Sequence, residues 1–261
     1  MSGWDALAAE LDRWAAAGRM AVFWWRDDDA AEATPALSRL LDLRARLGVP
    51  LAVAAIPATA QPSLAVALAG IDEVAVLQHG WAHRNNAAAG AAKIELGGGR
   101  AAWDIAAELA RGRSRLIEAI GPSLLPVLVP PWNRIDAALV PMLPGLGYDG
   151  LSAWAARAAA EAAPGLRAVN THIDIIDWPG TRRFVGDEAA IGQATAHLAA
   201  KRTGAADADE PTGLLTHHLA HDDESWAFIG RFVAATAAHR AVRWDHAGKI
   251  FASREPVRPA P

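Results

Sequence analysis

The stretch MAVFWWRDDD, Met20–Asp29, decides how the rest of the chain is read. Met20–Arg26 is a short apolar and aromatic run of strand type, and it ends in three consecutive aspartates. Three adjacent carboxylates repel one another unless a cation or another positive partner stands nearby. A single Asp here would serve as a helix N-cap. Three in a row after an apolar strand point instead to a metal or a catalytic role.

Outward from this run, strand-type segments alternate with helix-type ones. A helix is expected from Pro35 to just before Gly48, a strand over Leu51–Ile56, a short helix over Pro62–Ala69 and a strand over Val74–Gln78. A polar, Gly-rich excursion follows, then a long helix from Ala101 to Ile120 and a strand over Leu125–Val129 that Pro130 and Pro131 close. Tyr148–Ala153 and Ala168–Ile176 read as the fifth and sixth strands, with helices over Ala155–Ala163 and Asp187–Lys201. Gly213–Thr216 is the seventh strand, and an amphipathic helix runs from Glu224 to His239. Strands alternating with helices pair in parallel through right-handed crossovers, so the fold class is α/β. Seven such units either close into a barrel or lie open as a doubly wound sheet. No shift in composition, linker or repeat divides the 261 residues, and one domain over 1–261 is expected.

Composition narrows the function. A net charge of -4 without a basic block argues against nucleic acid as a partner. Cysteine is absent, which removes disulfides, thiolate ligands and a cysteine nucleophile. The N-terminal segment carries acidic residues where a signal peptide has a basic head, and no apolar run approaches the roughly 20 residues of a membrane span. A soluble, cytoplasmic protein without a membrane partner is expected. Nothing in the sequence marks an oligomer interface.

Unusual polar residues fall just after the strands. Asp27–Asp29 follow the first; His79 ends the third, with His83 four residues on; Pro130-Pro131-Trp132-Asn133-Arg134 follow the fourth. Asp174, Asp177 and Trp178 end the sixth, and His217-His218 the seventh, with His221 beyond. All would gather at the carboxyl edge of the sheet, where β/α folds place their sites. The His79 and His83 imidazoles can meet one ion. The zincin form needs Glu after the first His, and Gly80 stands there. With Asp28 as a third ligand the set is His, His and carboxylate, open to water and suited to a catalytic ion. His217 emerges on the same edge as a candidate general acid, with His218 and His221 competing for the role.

These segments resemble the motifs of the polysaccharide deacetylase family, the NodB-homology carbohydrate esterases. The family's Thr-Phe-Asp-Asp-Gly is matched by Trp25-Arg26-Asp27-Asp28-Asp29, and its His-x-x-x-His by His79 and His83. Arg-x-Pro-x-Gly is met in part by Val129–Asn133, Asp-x-x-Asp-Trp in full by Asp174–Trp178, and Leu-x-His by Leu215-Thr216-His217 or Leu219-Ala220-His221. The resemblance implies an irregular seven-stranded (β/α) barrel holding one divalent ion, zinc by preference. It implies a hydrolase that removes an acyl group, acetyl in the family, from the nitrogen of a sugar or related small molecule. By this match Asp27 is the catalytic base, Asp28, His79 and His83 hold the metal, and His217 is the acid, tuned by Asp177. Pro131, Trp132, Arg134, Trp178 and Leu215 then line the substrate site, with the Trp132 N–H at the oxyanion position. Val129 replaces the arginine that orients the base, so that task is lost or passes to Arg134 or Arg26. Asp29 and Asn133 replace the two motif glycines.

Of 11 tryptophans, Trp24, Trp25, Trp81, Trp132, Trp154 and Trp178 lie in or beside the strand ends, where aromatic faces stack on sugars or fill cores. Trp24 and Trp25 point to opposite faces of their strand, so at most one looks into a barrel. The competing reading is a non-catalytic metal- or carbohydrate-binding protein on the same barrel.

Overall fold

The computed structural model describes residues 2–252. Its strands are β1 (Ala21–Ala30), β2 (Leu51–Ala55), β3 (Val74–His79), β4 (Leu124–Val129), β5 (Gly150–Leu151), β6 (Glu161–Ala163), β7 (Leu166–Ala168), β8 (Ile173–Asp174), β9 (Thr212–Thr216) and β10 (Val242–Trp244). The helices are α1 (Gly3–Ala16), α2 (Pro35–Leu47), α3 (Pro62–Leu68), α4 (Ala102–Ile120), α5 (Asp187–Thr203), α6 (Asp223–Ala237) and α7 (Ala247–Phe251). One sheet runs in the order β6-β7-β5-β4-β3-β2-β1-β9-β8, with β10 also on β1, and only β6–β7 is antiparallel.

Hydrogen bonds do not close this sheet, but the chain itself spans the opening. Along one run, Val169 and Thr171 donate to Leu151 and Ala153, and the next amide, His172, donates to Gly213 in β9. β7 and β8 are therefore two halves of one strand path that leaves β5 and joins β9. Counted this way, seven strand paths curve around a common interior: β1, β2, β3, β4, β5, β7–β8 and β9.

Strand alternation divides the core. Trp24, Ala52, Ala54, Ala75, Leu77, Val127 and Val129 pack inside the curve. Phe23, Trp25, Val53, Ala55, Val74 and Val76 face outward under α1, α2, α5 and α6, against Leu11, Leu37, Leu40, Ile191 and Phe228. Trp24 is thus the tryptophan that looks inward. The small residues of β2 and β3 leave room for its indole, whose Nε1 donates to Asn170 O. Arg26 and Asp28 follow it on the inward face, and Asp27 follows Trp25 outward.

Several elements differ from the sequence expectation. The alanine-rich segment 155–163 is not a helix: it ends in β6, which turns at Pro164-Gly165 and pairs back on β7. Gly165 adopts φ +76, so a tight turn overrides alanine propensity. The fifth strand shrinks to two residues. α1, β10 and α7 were not anticipated. α1 has a Ser2/Asp5 capping box and buries Leu7, Leu11 and Trp14 at helical spacing, with the Trp14 Nε1 donating to Leu198 O of α5. Among the described residues no helix is long and apolar enough to cross a membrane.

Candidate active site

A pocket of about 860 Å³ opens at the carboxyl ends of the strands, lined by Asp28, Asp29, His79, His83, Trp132, Asn133, Asp174, Trp178 and His217 among others. The expected convergence of segments is present, but the three aspartates divide their work differently.

Asp28 does not face the imidazoles as their partner. Arg26 grips it in a fork, Nε to Oδ1 at 2.9 Å and Nη2 to Oδ2 at 3.0 Å, with both residues buried. The guanidinium is fixed in turn by Ser152 Oγ and O and by Asn133 Oδ1. Such a planar bidentate pair locks the carboxylate's orientation. Of the two arginines that could replace a residue at Val129, Arg26 is the one on the aspartates. Arg134 lies on the exposed rim, donating to Lys93 O.

The carboxylate beside the histidines is Asp29. Its Oδ1 lies 3.1 Å from His79 Nε2 and 3.2 Å from His83 Nε2. Ligands about 2.0–2.2 Å from a tetrahedral ion stand about 3.3–3.5 Å apart, so the three atoms fit one ion. His79 Nδ1 faces Val129 O at 3.0 Å and donates to it, which leaves the Nε2 lone pair for a metal. Asp29 sits at φ +74, a left-handed turn that breaks the alternation of β1 and swings the carboxylate to the histidines. Burial disfavours the Asp29 charge, but the His79 hydrogen bond and charge outweigh it and hold the pKa below the ordinary range. Burial likewise opposes a charge on His79, and the Asp28 and Asp29 charges reverse that and raise its pKa.

The loop carrying both histidines is wound around Glu95. Its carboxylate accepts the backbone N–H groups of Trp81, Ala82 and Arg84. Gly80, at φ +54, has no space for a side chain, because a Cβ would overlap Glu95 Oε2 and Pro131 Cδ. Glu95 is buried, and nothing in its Gly-rich surroundings signals this role in the sequence.

Asp27 is fully buried on the outward face. It accepts from Thr216 Oγ1, from the His218 N–H and from His218 Nδ1. Trp25 Nε1 donates to the same Thr216 hydroxyl. Burial works against the Asp27 charge, but His218 prevails and lowers its pKa; the His218 pKa is raised in return. This network ties β1 to the end of β9. His217, the next residue, is thereby turned into the pocket, with its ring edge-on to Trp178 at 4.7 Å. His221 lies behind it and accepts the His217 N–H on Nε2.

Asp177 is not beside His217. It accepts from the Gly180 and Thr181 amides and from Thr181 Oγ1, and so builds the turn after Trp178. Asp174 is the acid that lines the pocket with His217, its Oδ2 taking the Trp178 Nε1. Burial pushes its pKa up, with His217 pulling the other way. Trp132, Arg134 and Trp178 line the pocket, and Pro131 and Leu215 are buried without lining it. Trp132 and Asn133 both adopt left-handed φ, 55° and 56°, a strained turn of the kind that collects at functional sites.

A second buried group, His172, His197 and Glu210, has ligand atoms close enough to meet an ion. It does not fit one. His172 Nδ1 accepts the Gly213 N–H, so its proton is on the Nε2 that faces Glu210. The two rings are stacked at 3.4 Å and 12°, so their in-plane lone pairs run parallel and do not converge.

No family model and no curated protein matches the sequence. Solved structures do. A Mycobacterium smegmatis protein assigned provisionally as a polysaccharide deacetylase superposes with a TM-score of 0.60 at 17% identity, covering 94% of this chain and 96% of that one. A Streptococcus mutans CE4 esterase gives 0.57 at 11%, over 94% and 90%. A family 4 acetyl xylan esterase from Clostridium thermocellum, in complex with a cobalt ion, gives 0.52 at 13%, over 88% and 90%. The chain has the NodB-like deacetylase fold, an irregular (β/α) barrel, as its motifs imply.

Proposed function

We propose that this protein is a metal-dependent hydrolase that removes an acyl group, acetyl by preference, from the nitrogen of a sugar or related small molecule. The observation that carries the proposal is the pairing of two distinct aspartate environments at one pocket. Asp28 is locked by Arg26, and Asp29 completes a three-atom nest with His79 and His83. Neighbours described as deacetylases and esterases, one with a bound cobalt ion, support the reading.

Asp29, His79 and His83 would hold the divalent ion, zinc being the natural choice for this donor set. When bound, such an ion supplies a polarised carbonyl and an activated water. Asp28 takes the proton of the attacking water; Arg26 keeps its carboxylate aimed. The left-handed turn at Trp132 presents its backbone N–H to the developing oxyanion. His217 protonates the departing amine, with Asp174 lining the pocket beside it. Asp27, His218 and His221 position His217 and do not touch the substrate. These roles move the base from Asp27 to Asp28 and the ligand from Asp28 to Asp29. The motif pair is then Asp28-Asp29, and Arg26 does from within the first motif what the family's arginine does from the third. A protein that only bound a ligand would have no use for a locked carboxylate and an imidazole in the same pocket as the nest.

Acetate release from a panel of N-acetylated sugars tests the proposal. Release is expected with zinc or cobalt, stopped by a chelator and restored by adding the ion back. No release from any member with metal bound would favour the binding-protein reading.

A further inference from the structure

The rim of the pocket carries charge that the chemistry above does not use. Lys93, Arg134 and Arg182 all line it, and no carboxylate forms an ion pair with any of them among the described residues. The pocket's own carboxylates are committed: Asp28 to Arg26, Asp29 to the histidines, and Asp174 to Trp178 and the Ile176 amide. Arg39, Arg100, Arg202 and Arg231, away from the pocket, each meet an acid.

Two of the rim cations are also held in place over the opening. The Lys93 ammonium lies 5.8 Å from the Trp132 ring and the Arg182 guanidinium 6.0 Å from the Trp178 ring, both within cation–π range. Arg182 sits at φ +57, which costs a non-glycine residue energy that the surrounding turn must supply. That turn is built by Asp177, whose carbonyl also accepts the Arg182 N–H. The second aspartate of the Asp-x-x-Asp-Trp motif therefore presents an arginine to the pocket.

We propose that the substrate is an acylated amino sugar bearing an anionic group, phosphate or carboxylate, which Lys93 and Arg182 bind at the rim of the pocket. The cavity, about 860 Å³, is in the size range of small-ligand sites and suits one or two sugar units with the charged substituent at the rim. The proposal rests on the hydrolase reading for its acyl group but not for its charge.

The test compares N-acetylglucosamine, its 6-phosphate and N-acetylmuramic acid on the metal-loaded full chain, with binding followed by calorimetry and acetate release in parallel. Binding of one or both anionic sugars at least tenfold tighter than the neutral one is expected. The ratio should fall toward one in Lys93→Gln/Arg182→Gln, and which sugar gains shows whether phosphate or carboxylate is the group recognised. Equal binding of all three would overturn the proposal. So would a preference that persists in the double variant, since the metal alone would then be attracting the anion. Tight, rim-dependent binding without acetate release would uphold this inference and defeat the hydrolase reading; release without charge preference would do the reverse.

Discussion

Asp27 and Asp28 are adjacent, chemically identical and both buried, yet they stand on opposite faces of β1 and in opposite circumstances. Asp28→Asn removes the proposed base while keeping its shape, and kcat is expected to fall about 10²–10⁴-fold. Asp27→Asn puts an amide opposite the His218 Nδ1 proton. It should lower stability by about 3 kcal/mol in urea unfolding while costing less than tenfold in kcat. If the two effects were exchanged, the base would be Asp27 after all. The sequence held what was needed to choose between them. Trp24, Arg26 and Asp28 alternate with Trp25 and Asp27, so once Trp24 is inward, Asp28 must be inward too. What it could not show is which tryptophan that is, because both are equally apolar and the choice depends on the space left by Ala52, Ala54 and Ala75. Nor could alternation reach Asp29, whose left-handed φ ends the strand pattern.

At the scale of elements, the His79–His83 loop is the least tolerant part of the site. Gly80→Ala would push against Glu95 and Pro131 at a φ that alanine adopts at a cost of about 1 kcal/mol or more. The expected result is a lower melting temperature together with metal affinity weakened at least tenfold, read by titration with a competing chelator. Unchanged affinity would mean that the loop adapts and that Glu95 is not its template. The histidine pair was legible as a spacing; the carboxylate that shapes it was not, since a contact 14 residues away leaves no local pattern. The alternation of strands and helices is legible for the same reason that residues 155–163 resemble a helix in sequence. Periodicity and propensity report local preference, and the hairpin at Pro164-Gly165 is set by pairing with β7.

For the whole molecule, the buried histidines give stability a definite slope with pH. His221 accepts the His217 N–H on Nε2 and must be neutral to do so, and burial pushes its pKa down to about 4. The unfolded chain takes up this proton near pH 6.5 and the folded chain does not, so stability falls as pH falls from about 6.5 to 4. The contribution is about 1–3 kcal/mol, because the ring is partly exposed. In metal-stripped protein the loss of urea midpoint between pH 6.5 and 4.5 should be smaller in His221→Gln than in the parent chain. Identical losses would show that His221 takes its proton without strain. The cluster of His172 and His197 behaves alike, since burial lowers both pKa values.

The account depends most on which aspartate belongs to the ion. Elemental analysis of the purified chain beside Asp29→Ala and Asp28→Asn decides it. The expected result is about one equivalent of zinc or a similar divalent ion in the parent chain and in Asp28→Asn, and none in Asp29→Ala. Metal retained by Asp29→Ala and lost from Asp28→Asn would contradict the assignment and return the ligand to Asp28.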